Sequence, residues 1–267
     1  MDQDQPLSEF ETASFLVYGE TKHGKSSLLA TMPTPGVILD IEGKWQFFQG
    51  RPNPNRKTDQ HPNGAPFRLR LWNPAQEPPK DDGTWDFAIV KVTSALILSQ
   101  ALAWLDRHDH PFVSIGLDSL TVGQEQGIEA IRKVDEDFRI QDWGAIRRRV
   151  LSDTSRIMTR VSDPANPLRV FAATAHSVFK DGKHRPAMQG SIQGRLPFSF
   201  DAIVYMKKAL KANDQGIIPD DAPSVFRALI KTHPLYVTGS NFEDRFDKAA
   251  YDNPNLAHIM RMIFPKG

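Results

Sequence analysis

The sequence contains no cysteine, which excludes disulfide bonds, thiolate zinc sites and cysteine nucleophiles. It also lacks a charge excess, because 33 Lys and Arg against 32 Asp and Glu give a formal net charge of +1. Any nucleic-acid binding must therefore depend on local basic patches. No apolar run approaches the roughly 20 residues of a membrane-spanning helix, so we expect no membrane partner.

The N-terminal stretch "MDQDQPLSEFETAS" lacks the basic and apolar regions of a secretory signal. We therefore expect a cytoplasmic protein. A length of 267 residues with 40% hydrophobic residues is typical of an ordinary globular protein. We predict a single domain over residues 1–267, with four peripheral parts: an N-terminal arm (1–13), a polar insertion (50–85), a loop (177–200) and a C-terminal helical tail (250–267).

Apolar strand-like segments alternate with helical segments along most of the chain. "FLVYG", "GVILDIEG", "FVSIGLDS" and "LRVFAATAH" each have the composition of a buried strand. Such alternation predicts the α/β class, with a mostly parallel sheet and helices on both faces. The later segments "DAIVYMK" and "VFRALIK" have little helix between them, which indicates an antiparallel extension.

Residues 19–26, "GETKHGKS", match the phosphate-binding pattern G-x-x-x-x-G-K-[ST] at every fixed position. An apolar strand precedes the match and a helical run follows it, as in a real nucleotide site. Lys25 would reach the β- and γ-phosphates, and the Ser26 hydroxyl would bind Mg²⁺. The predicted cofactors are ATP and Mg²⁺, and the predicted nucleotide-binding residues are Gly19, Glu20, Thr21, Lys22, His23, Gly24, Lys25, Ser26 and Ser27.

Asp118 ends the apolar segment "VSIGLDS" and is the candidate Walker B carboxylate beside the metal. The alternative is an Asp that caps the following helix. The next residue is Ser119, where many P-loop motors have the glutamate that activates water. Any ATPase base must therefore come from elsewhere in the chain.

Glu42 lies at the tip of the strand "ILDIEG", where ligands of α/β sheets bind. A carboxylate there is placed to deprotonate a water aimed at the γ-phosphate. Asp40 is a second candidate, for contact with the waters of the metal. The alternative is that both are surface acids at the edge of a loop.

His176 ends the strand "FAATAH", between the nucleotide and the segment that follows. It is a candidate sensor that reports the state of the γ-phosphate to that segment. A lone histidine is also commonly a structural residue.

The segment 177–200 combines basic and aromatic residues with several glycines. Basic groups follow phosphates and aromatic faces stack on unpaired bases, which is typical of single-strand binding. The alternative is an ordinary surface loop. The predicted DNA-binding residues are Lys180, Lys183, Arg185, Arg195 and Phe179.

These motifs, in this order, resemble the RecA-like P-loop ATPases, and most closely the short phage proteins that anneal single strands. The resemblance rests on "GETKHGKS", "ILDIEG", "IGLDS", "ATAH" and "GRLPFSFDAIVYM" and covers residues 15–232. It implies a RecA-like core in which Glu42 is the catalytic glutamate and residues 177–200 are the second DNA-binding loop. His176 stands where the family has a coupling glutamine.

By the same resemblance, Lys231 matches a lysine that reaches the nucleotide of a neighbouring subunit, with Arg227 as a second candidate. The implied catalytic residues are thus Glu42, Lys25, His176 and Lys231. The implied partners are single-stranded DNA, further copies of the chain in a ring or filament, and a single-strand-binding protein. A phage origin would place the protein in the cytoplasm of the host cell.

The leading hypothesis is an ATPase that binds single-stranded DNA and promotes annealing or recombination. Two alternatives remain open on the sequence. One is a P-loop kinase for a small molecule, for which "GKHR" offers only a faint lid motif. The other is a nucleotide-regulated binding module with negligible turnover.

Overall fold

A computed structural model describes residues 8, 11–131, 140–189, 192–211 and 217–265. The strands are β1 (Ala13–Gly19), β2 (Gly36–Asp40), β3 (Leu69–Leu71), β4 (Phe87–Lys91), β5 (Ser114–Asp118), β6 (Val170–Lys180), β7 (Lys183–Pro186), β8 (Ala202–Leu210), β9 (Ser224–Leu229), β10 (Gly239–Ser240) and β11 (Ala250–Asp252). The α-helices are α1 (Lys25–Leu29), α2 (Ala95–Leu105), α3 (Leu120–Ile131), α4 (Ile140–Val161) and α5 (Leu256–Ile263).

The strands form one sheet in the order β11-β9-β8-β1-β6-β5-β2-β4-β3, with β10 paired to β8 and β7 paired to β6. All neighbours from β8 to β3 are parallel, whereas β9 and β11 add an antiparallel extension. The carboxyl ends of β1, β2 and β5 therefore meet at one edge of the sheet, where α/β proteins bind ligands, and β6 passes this edge at His176.

Apolar side chains pack on both faces of the sheet. In β1, Leu16 and Tyr18 contribute to the core beneath α2 and α4, while Phe15 and Val17 contribute to the core beneath α1 and α5. This alternation follows from the period of two along a strand. The predicted α/β class, with a mostly parallel sheet, helices on both faces and an antiparallel extension, is confirmed.

Three segments differ from their expected local structure. The insertion 50–85, predicted as polar, contributes Phe67, Trp72 and Trp85 to the buried core. The predicted loop 177–200 begins as a β-hairpin of β6 and β7 rather than as an open loop. The tail 250–267 begins with β11, which completes the antiparallel edge before α5.

Most of the predicted N-terminal arm lies outside the described residues, and β1 begins at Ala13. Across the described part of the chain, no helix combines the length and apolar character needed to cross a membrane.

Candidate active site

Two glycines allow the phosphate loop to pack closely against strands β8 and β9. A Cβ on Gly19 would lie 2.3 Å from the carbonyl oxygen of Met206, on the neighbouring strand β8. Gly24 has φ +85°, and a Cβ there would lie 2.6 Å from the ring of Phe226. Both positions therefore require glycine for close approach, and Gly24 also requires it for its backbone conformation.

Lys25 begins α1 and is 8% exposed. Its ammonium donates hydrogen bonds to the carbonyl oxygens of Gly19 (3.0 Å) and Glu20 (2.8 Å). Burial lowers the pKa of Lys25, while the nearby carboxylates of Asp118 and Glu42 oppose that shift. A lysine held inside the loop among carboxylates is positioned to exchange its carbonyl partners for phosphate oxygens.

The Walker A serine and the Walker B aspartate are in direct contact. Ser26 Oγ donates to Asp118 Oδ2 at 2.7 Å, and Asp118 is 3% exposed. A hydroxyl that donates to a carboxylate keeps lone pairs for a metal ion. The oxygen donors of Ser26 and Asp118 are of the type that Mg²⁺ prefers, so both predicted metal residues fit that ion.

Two further side chains hold Asp118, and the sequence motifs did not identify either. The buried Trp45 donates from Nε1 to Asp118 Oδ2 at 2.9 Å. The fully buried Thr174, on β6, donates from its hydroxyl to Asp118 Oδ1. The signal for Thr174 was a hydroxyl inside the apolar strand "FAATAH", and Trp45 follows the acidic strand tip by only three residues.

Asp40 shapes the turn that follows β2. Its carboxylate accepts backbone hydrogen bonds from Gly43 (2.8 Å), Lys44 (3.2 Å) and Trp45 (3.1 Å). Burial raises the pKa of Asp40, and these hydrogen bonds work against that shift. Asp40 is 1% exposed and thus makes no surface pair; it folds the turn that carries Glu42 and Trp45.

Glu42 is tied to the Walker B strand through the main chain. The amide groups of Ile41 and Glu42 donate to the carbonyl oxygen of Asp118 at 2.8 and 3.2 Å. The side chain of Glu42 is 13% exposed. The predicted base and the predicted metal carboxylate therefore belong to one site.

The side chains of Lys44 and His176 flank the Glu42 carboxylate. Lys44 Nζ donates to Oε2 at 2.8 Å, and His176 Nε2 lies 3.2 Å from Oε1. Burial alone would raise the pKa of Glu42, but hydrogen bonds from Lys44 and Ser119 and the charges of Lys44 and His176 hold it below its usual range. Glu42 is thus kept as the ionised carboxylate that a general base needs.

His176 also connects this site to the segment after β7. Its amide donates to Thr121 Oγ1 at 2.9 Å, and that hydroxyl donates to the carbonyl of Ala187 at 2.9 Å. The buried Gln124 makes a reciprocal pair with the backbone of Gln189, at 3.1 and 2.9 Å. Helix α3 begins just after Asp118, and its Thr121 and Gln124 therefore link His176 to the segment after β7.

The predicted DNA-binding residues lie on the β6–β7 hairpin and beyond it. Lys180 and Lys183 are exposed and pair across the tip, next to the turn at Asp181 and Gly182. Phe179 is 64% exposed. Arg185 is half-buried and lies 3.7 Å from Asp181, whereas Arg195 is exposed.

The hairpin is anchored to the rest of the fold by His184. Its backbone exchanges hydrogen bonds with Leu235 (2.9 Å) and Val237 (3.0 Å), and the Tyr18 hydroxyl donates to its carbonyl at 3.0 Å. The His184 ring stacks on Tyr236, with ring centroids 5.1 Å apart. These contacts fix the hairpin one residue pair from its turn, and the side chains of Lys180 and Lys183 at the turn are exposed.

Lys231 lies away from the phosphate loop of its own chain. Strand β9 runs antiparallel to β8, so Leu229 pairs with Tyr205 and the chain then continues toward the opposite edge of the sheet. Gly19 pairs with Met206, at the nucleotide edge. Arg227, the second candidate, is engaged with Asp252 through two hydrogen bonds of 2.6 and 2.9 Å.

The other predicted loop residues, Glu20, Thr21, Lys22, His23 and Ser27, lie on or beside the phosphate loop, at its more exposed side. Lys22 has φ +65° and points its side chain to solvent. His23 is half-buried, with Nε2 at 3.8 Å from Glu20 and no hydrogen-bond partner for Nδ1.

No protein-family model matches the chain, and no curated protein matches it in sequence. Among solved structures, it is similar to the flagellar accessory protein FlaH from Methanocaldococcus jannaschii. That match has a TM-score of 0.34 and 11% identity over 81% of this chain and 77% of FlaH. It is also similar to the KaiC-like protein PH0186 from Pyrococcus horikoshii OT3, with a TM-score of 0.39 and 11% identity over 86% of this chain and 83% of that protein.

Likenesses this loose carry no argument about function. The loop at 19–26 joins the end of β1 to the start of α1, at the edge of the sheet where Asp118 and Glu42 also lie.

Proposed function

We propose that the protein is a RecA-like ATPase that binds single-stranded DNA and promotes strand annealing or recombination. The observation that carries the proposal is the contact between Ser26 and Asp118 at 2.7 Å, with the main chain of Glu42 tied to the same Asp118. This contact joins the phosphate loop, a metal-binding pair and a base in one site.

ATP would bind with its phosphates in the loop 19–26, against the backbone amides and the ammonium of Lys25. Mg²⁺ would be held by Ser26 and Asp118, and it would neutralise charge on the phosphates. The absence of a Cβ at Gly24 and the buried Lys25 both fit a phosphate cradle.

Hydrolysis would use Glu42 as the general base. Glu42 accepts a proton from a water, the water oxygen bonds to the γ-phosphorus, and the bond to the β-phosphate oxygen breaks to leave ADP and phosphate. The low pKa of Glu42, held by Lys44, Ser119 and His176 against burial, keeps the carboxylate free to accept that proton.

Single-stranded DNA would bind at the β6–β7 hairpin. The exposed Lys180 and Lys183 suit phosphates, and the exposed ring of Phe179 suits stacking on a base. Arg195 adds a further exposed cation in the same segment. Arg185 is the least suited of the predicted set, because it is half-buried beside Asp181.

The connection through α3 supports coupling between the two ligands. Glu42 contacts His176, His176 donates to Thr121, and Thr121 donates to Ala187 beyond the hairpin. A movement of Glu42 or His176 on ATP binding would therefore be transmitted to Ala187, in the segment that carries the predicted DNA-binding residues.

Assembly would place Lys231 at the nucleotide of a neighbour. Because the residue lies away from its own phosphate loop, only another subunit could bring it to a nucleotide. An oligomer with shared sites follows from that role.

The test of the proposal is a titration of a fluorescent oligo-dT with the protein, with and without ATP and Mg²⁺. We expect ATP to tighten binding in the wild type, and Lys25→Ala to remove that gain. The double change Lys180→Ala/Lys183→Ala should weaken binding with either nucleotide state. It should also reduce the slope of log affinity against log salt by about 0.7 for each phosphate that the variant no longer neutralises.

The matched control is Lys57→Ala/Lys80→Ala, which removes the same charge from exposed lysines of the insertion. Equal affinities in the wild type and both double variants would contradict the DNA interface. Turnover of ATP only in the presence of a small-molecule acceptor would instead indicate a kinase. Binding of ATP without any effect of DNA and without turnover would indicate a regulated binding module.

A further inference from the structure

The carboxylate of Asp118 is surrounded by hydrogen-bond donors. Oδ2 accepts from Ser26 at 2.7 Å and from Trp45 at 2.9 Å, and Oδ1 accepts from Thr174. An ionised carboxylate offers about four lone-pair sites. Asp118 therefore keeps capacity for about one more partner, and Mg²⁺ in nucleotide sites usually retains waters that can fill it.

The two donors other than Ser26 are rigid groups of the protein interior. Trp45 is 1% exposed, and its ring packs on Phe48 and Phe87 with centroids 4.9 and 6.1 Å away. Thr174 is fully buried in the centre of the sheet, on a strand whose other inner residues are apolar. Neither side chain can turn away without leaving a buried carboxylate oxygen short of a donor.

Asp40 fixes Trp45 in this position. It pairs with Asp118 across β2 and β5 and accepts the backbone amide of Trp45 at 3.1 Å. The turn after β2 therefore places the indole of Trp45 against Asp118. Glu42 lies in the same turn. Loss of the indole hydrogen bond would remove one donor from Asp118 Oδ2 and leave the contacts of Glu42 unchanged.

We propose that Trp45 and Thr174 are positioning residues for the metal, which fix the Asp118 carboxylate against Ser26 and thereby set the affinity for Mg²⁺. This inference rests on the proposed function, since it presupposes that ATP and Mg²⁺ bind at this loop. Partners that orient a metal-binding carboxylate commonly account for 10- to 100-fold of metal affinity.

The test measures binding of a β,γ-imido ATP analogue, first in EDTA and then across a Mg²⁺ titration. Trp45→Phe removes the indole donor and keeps an aromatic ring, and Thr174→Val removes the hydroxyl at nearly constant shape. We expect both to shift the Mg²⁺ midpoint at least about tenfold upward, with affinity in EDTA within about twofold of the wild type.

Two controls separate positioning from a general structural effect. Thr174→Ser restores the hydroxyl and should return the midpoint to that of the wild type. Trp85→Phe removes another buried indole donor, whose Nε1 bonds to the carbonyl of Lys80 at 3.0 Å, and should leave the midpoint unchanged. If Trp45→Phe does not fold, the Thr174→Val and Thr174→Ser pair decides the question.

An unchanged Mg²⁺ midpoint in Trp45→Phe and Thr174→Val would overturn the inference and leave the proposed function intact. A wild type that does not bind the analogue at all would overturn the proposed function, and the inference with it.

Discussion

Single side chains decide whether the phosphate loop can form. Gly24 is the clearest case, because it combines a positive φ with a ring packed directly on its Cα. The sequence pattern requires glycine there, and the structure gives the reason: the face of Phe226 lies where a Cβ would be. Strand β9, which carries Phe226, is therefore part of the support of the nucleotide site.

Gly24→Ala should abolish nucleotide binding, because the added methyl must displace either Phe226 or the loop. The strained φ adds roughly 1 kcal/mol or more to the destabilisation. Thermal unfolding with and without ATP and Mg²⁺ measures both effects. The control is Gly83→Ala, which has φ +70° and nothing within 4 Å of the added Cβ. If the Gly24 variant gained as much stability from ATP as the control, this role of Phe226 would be wrong.

Lys44 lowers the pKa of Glu42, the proposed base, from an exposed position. The pKa of Glu42 lies below its ordinary value despite burial, because Lys44 and Ser119 donate hydrogen bonds to it and the charges of Lys44 and His176 add to the effect. Lys44→Met removes the leading favourable partner, so the pKa of Glu42 should rise.

Glu42 must be ionised to act as a base, so the acid limb of kcat/KM should move to higher pH in Lys44→Met. The pH profile of ATP hydrolysis measures this shift, and kcat/KM reports the free enzyme. Lys44→Arg, which keeps the charge, should leave the limb near its wild-type position. Superimposable profiles for the wild type and Lys44→Met would contradict the assigned interaction.

Among single residues, those with fixed positions in a motif could be predicted, and those that act through tertiary contacts could not. Lys25, Ser26 and Asp118 lie together as the motifs require. Trp45 carries no such signal, since its role depends on a turn folded by Asp40 and on a strand 73 residues away.

Secondary-structure elements are joined by a small number of specific side chains. Asp106, just after α2, accepts hydrogen bonds from Arg156 and Arg160 on α4, including contacts of 2.9 Å to each guanidinium. Burial raises the pKa of Asp106, but these two arginines outweigh it and hold the pKa below its usual range. This carboxylate therefore links the end of α2 to α4, in addition to the apolar packing between the two helices.

Asp106→Asn should reduce the free energy of unfolding at pH 7 by about 1–2 kcal/mol, a value limited by partial solvent exposure. The pKa is depressed in the folded state, so this stabilisation is present above the unfolded pKa and is lost as pH falls through the folded value. The difference between variant and wild type should therefore shrink below about pH 4.

Denaturant unfolding at several pH values measures the effect. Asp109→Asn is the control, because Asp109 pairs with Arg107 at an exposed site and its loss should not change stability measurably. A constant difference between Asp106→Asn and the wild type from pH 7 to pH 3 would contradict the charge-based explanation.

The buried strands and the larger helices could be predicted from apolar periodicity, and α5 occupies the segment expected for it. The hairpin of β6 and β7 was missed because its sequence, "SVFKDGKHRP", is polar and exposed. Its register depends on the turn at Asp181 and Gly182 and on the docking of His184, neither of which has apolar periodicity. The aromatic residues of the insertion were likewise hidden among prolines and charges.

In the molecule as a whole, the residues of the proposed ATPase activity lie along one edge of the sheet. β1, β2 and β5 end there, next to the phosphate loop, Glu42 and Asp118, and β6 passes this edge at His176. Because β6 continues beyond this edge into the hairpin, the proposed DNA-binding residues lie next to the proposed nucleotide site. The class of fold could be predicted from strand and helix alternation, whereas this continuity could not.

The account predicts that hydrolysis by Glu42 responds to single-stranded DNA, and steady-state phosphate release from ATP measures this response. Single-stranded DNA should raise the rate of the wild type. Glu42→Gln should bind ATP with Mg²⁺ as the wild type does, yet release phosphate at least about 100-fold more slowly with or without DNA. A wild-type rate that is unchanged by DNA, or a Glu42→Gln variant as fast as the wild type, would contradict the account.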